Sequence, residues 1–150
     1  MALMADIGPG AVAADAVLFI YFIEEDSRFL PIIEPLFREA DGGKRRLVTS
    51  VLTLLEVLVV PYRAGNRVLA ERYEALLTRS RGIRLVEATR DHFRAAAQLR
   101  AATGVKTPDA LQLVAAISAG CKAFVTNDRR LPDIPGIQIL QLRSYLSTGA

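Results

Sequence analysis

Two textures of hydrophobic patterning alternate along the chain. Short β-like runs, AVAA at 11–14, RRLVTS at 45–50, IRLVEA at 83–88 and KAFVTN at 122–127, are separated by longer segments of helical character. The helical segments start at about Val17, cover VLTLLEVLVV at 51–60 and TRDHFRAAAQLRAAT at 89–103, and include ALQLVAAI at 110–117. A last short run, IQIL at 137–140, closes the series. Strands alternating with helices of this length predict parallel βαβ units and therefore an α/β sandwich. Local signals support the helix starts. Ser50 is placed to cap the segment after it and Thr89 the segment from Arg90. Thr107-Pro108-Asp109 offers a hydroxyl N-cap, a proline at the first helical position and a carboxylate in the first turn. Gly120 is placed to stop the helix that Asp109 opens. No internal repeat, low-complexity tract or Pro/Gly/Ser linker divides residues 1–150, so a single domain is expected.

The polar residues that break this pattern carry the chemistry. In AVAADAVLFIYF, residues 11–22, every residue except Asp15 is hydrophobic. A carboxylate in such a setting is costly unless it is paired, solvated or bound to a metal. Glu56 interrupts LTLLEVLVV, Asp109 opens ALQLVAAI and Asp128 ends KAFVTND. Taken singly, Asp109 also reads as a favourable first-turn charge and Asp128 as a turn former. Glu56 and Asp15 have no local basic partner at helical spacing. In an open parallel sheet, ligands bind outside the carboxyl ends of the strands, where the strand order reverses. Asp15 and Asp128 follow strand-like runs and belong at such ends, and Asp109 and Glu56 reach the same edge if their helices border it. Carboxylates gathered there cannot all stay ionised unless something positive neutralises them. Hard oxygen ligands of this kind suit Mg²⁺ or Mn²⁺, which bridge to phosphate oxygens and activate water.

Charge adds to this reading. The net charge of +3 arises from 19 basic and 16 acidic side chains, so setting the four carboxylates aside leaves 19 against 12. The basic residues cluster at Lys44-Arg45-Arg46, at Arg79, Arg81 and Arg84, and at Arg129-Arg130. Such an excess suits a polyanionic partner, although solvated surface is an equal reading for any one cluster. With 51% hydrophobic and 23% charged residues, the composition is that of a globular protein rather than a disordered one. No apolar run reaches the roughly 20 residues of a membrane span. MALMADIGPG lacks the pattern of a secretory signal. One cysteine, Cys121, can form no internal disulfide, and the expected compartment is the cytoplasm. Cys121 reads as a packed thiol, His92 as a helix-surface or packing residue, Asp133 as a turn residue between two prolines, and Glu24, Glu25 and Asp26 as a solvated helix end.

Three stretches carry a likeness to a known family: DAVLFIYFIEE around Asp15, TSVLTLLEVLVVPYRAG around Glu56, and KTPDALQLVAAISAGCKAFVTNDRRL around Asp109 and Asp128. From about Val12 to Leu142 the chain resembles the PIN-domain family, in its VapC-type toxin branch. The resemblance implies a three-layer α/β/α sandwich with a short central parallel sheet. It also implies a Mg²⁺- or Mn²⁺-dependent endoribonuclease that acts as the toxin of a VapBC-type pair. Asp15, Asp109 and Asp128 would then hold metal directly or through water, with Glu56 positioning the attacking water or a second ion. Thr126 and Asn127 take supporting roles. The implied partners are RNA, a VapB-like antitoxin whose C-terminal segment covers the site, and a second copy in a homodimer. The chain departs from the family at Ala16 and Val17, where a Thr or Ser followed by a polar residue is usual. Loss of that hydroxyl predicts a weaker enzyme or, in the alternative, a silent PIN domain that binds RNA or protein. A phosphohydrolase with a nucleophilic Asp would need a second Asp two positions on, which Asp15-Ala16-Val17 does not supply.

Overall fold

The computed structural model describes residues 2–146. Five strands, β1 (Val12–Ala14), β2 (Leu47–Ser50), β3 (Ile83–Val86), β4 (Ala123–Thr126) and β5 (Gln138–Gln141), form one sheet in the order β3-β2-β1-β4-β5. Every pairing is parallel. Helices α1 (Leu3–Ile7), α2 (Ala16–Ile23), α3 (Leu30–Asp41), α4 (Leu52–Arg63) and α5 (Arg67–Arg79) pack on one face, and α6 (Arg90–Thr103) and α7 (Thr107–Ser118) on the other. This is the expected three-layer α/β/α sandwich.

Strand side chains alternate between the two cores, as the pleat requires. Val12, Ala14, Leu47, Ala123 and Val125 join the core under α2 to α5. Ala13, Val48 and Phe124 join the core under α7. Because both faces are covered, β1, β2 and β4 are buried at every position, so their apolar residues do not alternate with polar ones, and polar Thr49, Ser50 and Thr126 appear only at the carboxyl ends.

Three helices, the short α1 together with α3 and α5, lie where the pattern along the chain offers no clear signal. Helix α3 carries Pro31 in its first turn and Pro35 further inside, and it buries Ile33, Leu36, Phe37 and Ala40. Helix α5 is rich in charge, but Asn66 caps it by accepting from Leu69 N, and it buries Ala70, Tyr73 and Leu77. The cap at Thr89 forms as expected, accepting from the backbone N–H of His92 at 3.2 Å, whereas the N-cap position of α4 falls to Val51, and Ser50 Oγ accepts from Leu52 N at 3.1 Å in the turn before it. The expected hydroxyl cap at Thr107 does not form. Lys106 holds the extended N-cap backbone and accepts from Ala110 N, so Thr107 and Pro108 are already the first helical residues. Gly120, at φ +79°, follows the C-cap Ala119 and ends α7 in a left-handed conformation that favours glycine. Among the described residues no helix is long and apolar enough to cross a membrane. Cys121 is buried, and burial pushes its thiol up to about 11, as suits packing rather than nucleophilic chemistry.

Candidate active site

The strand order reverses between β1 and β4, because the chain passes from β1 to β2 to β3 on one side before crossing to β4 on the other. The carboxyl ends of β1 and β4 therefore flank the cleft where a parallel sheet binds ligands. Asp15 follows the last residue of β1 and is the N-cap of α2, its carboxylate accepting from Val17 N at 3.2 Å. Asp128 stands two residues beyond β4. Helix α4 starts one residue after β2, which puts Glu56 in its second turn above the same edge. Helix α7 leads through a short turn into the start of β4, so it runs against the strands, and Asp109 in its first turn returns to this edge. Asp15, Glu56, Asp109 and Asp128 line one cavity of about 430 Å³. Asp133 is exposed outside it, and His92 is half-buried on α6.

A hydrogen-bond frame holds the acids. Thr126 Oγ1 donates to Asp15 Oδ2 at 2.5 Å and accepts from Asp128 N at 3.0 Å, linking the two strand-end carboxylates. Asn127 does not touch them. Its Nδ2 donates to the Tyr21 hydroxyl at 3.1 Å and its Oδ1 accepts from Arg143 N at 3.2 Å, so it ties α2 to the segment after β5.

Behind Glu56 lies a buried polar network absent from the sequence reading. Gln112 Nε2 donates to Glu56 Oε1 at 3.3 Å and to Thr53 Oγ1 at 2.8 Å, and Gln112 Oε1 accepts from Ser50 N at 3.2 Å. The Thr49 hydroxyl, 2.6 Å from that of Thr53, donates to the Ala14 carbonyl at 2.7 Å. Gln112 had the same signal as the acids, a polar residue inside an apolar helix three positions after Asp109. Being uncharged, it did not stand out.

Three of the four carboxylates are held away from the charged form. Asp15 is pushed up to about 7, first by desolvation and then by the negative Glu56 and Asp109, against the Thr126 and Val17 hydrogen bonds. Glu56 is raised by burial and by Asp109, and Asp109 by burial and by Asp128. Asp128 is lowered instead, because Arg130 donates to it through Nε at 3.1 Å, Nη2 at 3.2 Å and the backbone N at 2.9 Å. Among the described residues no three acidic, histidine or cysteine side chains converge at metal-ligating spacing. Lys106 and Arg130 also line the pocket, Arg130 paired with Asp128, so four carboxylates stand against two cations, and such an excess of anionic oxygen ligands suits a hard divalent cation.

Fold and pocket define a parallel α/β/α protein with an acidic cavity at the switch point of its sheet. The PIN domain family model matches residues 12–137, and the chain belongs to that family. No curated protein sequence matches it. Solved structures are similar in fold. A chain of VapBC2 from Rickettsia felis, bound to a DNA fragment from their promoter, aligns with TM-score 0.66 at 14% identity over 87% of this chain and 98% of that one. A chain of a toxin-antitoxin complex from Klebsiella pneumoniae aligns with TM-score 0.60 at 18% identity, covering 87% and 97%. A chain of DNA-bound VapBC from Salmonella typhimurium aligns with TM-score 0.62 at 23% identity, covering 88% and 98%.

Proposed function

We propose that the protein is a divalent-metal-dependent endoribonuclease and the toxin of a type II toxin–antitoxin pair. The observation that carries this reading is the gathering of Asp15, Glu56, Asp109 and Asp128 in one cavity at the β1/β4 switch point. Asp15, Asp109 and Asp128 would hold Mg²⁺ or Mn²⁺, with Glu56 at the rim of the same pocket. The ion would neutralise charge on the phosphodiester and favour deprotonation of the attacking water. The protein's own part is positional. Thr126 orients Asp15 and the backbone of Asp128, Gln112 orients Glu56, and the basic residues beside the pocket attract the polyanion. A VapB-like antitoxin is the proposed partner, in keeping with the complexes in which the structural relatives occur. Homodimer formation and a cytoplasmic location belong to the same proposal.

The test is RNA cleavage by purified Asp109→Asn and Asp128→Asn in Mn²⁺, with circular dichroism to establish folding. Loss of cleavage in folded variants is expected, and cleavage persisting in both refutes the metal-nuclease reading. A second reading, a PIN domain that binds RNA without cutting it, draws on the Arg130 guanidinium seated on Asp128 and on Ala16 and Val17 beside the first acid. It predicts RNA binding by wild-type protein with neither Mn²⁺ binding nor turnover.

A further inference from the structure

The polarity of the sheet sorts the arginines into two sets. Arg46 directly precedes β2, Arg79 and Arg81 lie just before β3, and Arg84 is the second residue of β3, so all four belong to the edge where the strands begin. Arg45 is spent on structure, with Nε on Glu39 at 2.9 Å and Nη1 on the carbonyls of Gly8 and Gly10 at 2.9 and 3.1 Å. The acidic cavity opens at the other edge. There, Arg129 and Arg130 follow β4 and Arg143 follows β5.

These three arginines line a second cleft of about 500 Å³, together with Tyr21 and Asn127. Asp15, Asp128 and Arg130 line both cavities, so the cleft opens directly from the acidic pocket. Arg129 and Arg143 are exposed, and among the described residues their side chains make no hydrogen bond or ion pair. Their backbones are held. Asn127 Oδ1 accepts from Arg143 N, and Gln141 Nε2 donates to the Asp128 carbonyl at 2.9 Å, which binds the two arginine-bearing segments together across β4 and β5. A pair of guanidinium groups without a side-chain partner among the described residues, on fixed backbone beside the acidic pocket, suits a phosphate next to the one the nuclease reading places there.

We infer that this cleft is the path of the substrate strand, with Arg129 and Arg143 binding a backbone phosphate adjacent to the one at the carboxylates. The inference rests on the nuclease reading and names single-stranded RNA as the ligand. The basic cluster at Arg79, Arg81 and Arg84 takes no part, because it faces the opposite edge of the sheet.

The experiment compares wild-type protein, the Arg129→Ala/Arg143→Ala double variant and an Arg79→Ala/Arg81→Ala control. Each is titrated in EDTA against a fluorescein-labelled single-stranded RNA of about a dozen nucleotides, a length within the usual footprint of such sites, over a range of salt. Each neutralised phosphate contributes about 0.7 to the slope of log K against log salt for a single strand, so the double variant, which gives up one phosphate, is expected to lose about 0.7 of slope and to bind several-fold more weakly. The control is expected to match wild type. Unchanged binding in the double variant, or an equal loss in the control, overturns the cleft. Cleavage in Mn²⁺ is scored separately. Wild-type cleavage together with unchanged binding by the double variant leaves the nuclease reading standing without the cleft, whereas wild-type protein that neither binds nor cuts overturns both.

Discussion

Thr126 Oγ1 lies 2.5 Å from Asp15 Oδ2, so a hydroxyl from the end of β4 serves the carboxylate at the end of β1. The residue after Asp15 is Ala16, buried at the start of α2, where the family usually places a hydroxyl. Asp15 therefore draws its side-chain donor from across the sheet rather than from its neighbour in sequence. Thr126→Val is expected to weaken Mn²⁺ binding by about 10- to 100-fold, the usual cost of removing a group that orients a ligand. Thr126→Ser should retain affinity, and Ala16→Ser should leave it nearly unchanged. Isothermal titration with Mn²⁺ checks all three, and an affinity gain in Ala16→Ser would show that the absent hydroxyl limits the site.

Gln112 is the joint between β2 and Glu56. Gln112→Leu fills a similar volume but leaves Ser50 N–H without its partner in a buried site, a loss of about 1–3 kcal/mol. Urea denaturation should register it. A stability unchanged from wild type would mean that water or a backbone shift replaces the amide.

Arg130 competes with any cation for Asp128. Its side chain is 70% exposed, so the pairing is weak and easily displaced. Arg130→Gln should bind Mn²⁺ about two- to five-fold more tightly, as expected when a weak surface pairing is removed. Weaker binding in that variant would assign Arg130 a supporting role in the metal site.

Asp15 makes the metal-free protein sensitive to pH. Its folded pKa, pushed up to about 7, stands above the ordinary 3.8, so the folded state holds the proton more tightly than the unfolded chain does. The stabilisation is complete below about 4 and is lost as pH rises through 7. Asp15→Asn carries no such penalty. Its melting temperature relative to wild type, measured in EDTA, should rise between pH 5 and pH 8 and then level off. A gap independent of pH would show that the Asp15 carboxylate is better solvated than its surroundings suggest.

The order of acidic residues within apolar runs was legible along the chain because burial and helix or strand periodicity are local. A carboxylate between hydrophobic neighbours stands out wherever it is, and T-P-D and T-N-D mark a helix start and a strand end. The same logic locates all five strands and four of the longer helices. It did not extend to α3, where Pro31 and Pro35 obscure the helix, or to α5, whose charged residues conceal its buried stripe of Ala70, Tyr73 and Leu77.

Tertiary structure decided the rest. The adjacency of β1 and β4 in the order β3-β2-β1-β4-β5 makes Asp15 and Asp128 neighbours, 113 positions apart in the chain, and the shared parallel direction of the strands separates the arginines at the strand ends from those at the strand starts. Partners such as Thr126 for Asp15, Gln112 for Glu56 and Tyr21 for Asn127 come from different elements. Which strand lies beside which is set by how helices cover the two faces of the sheet, a property of the packed whole that no short stretch contains.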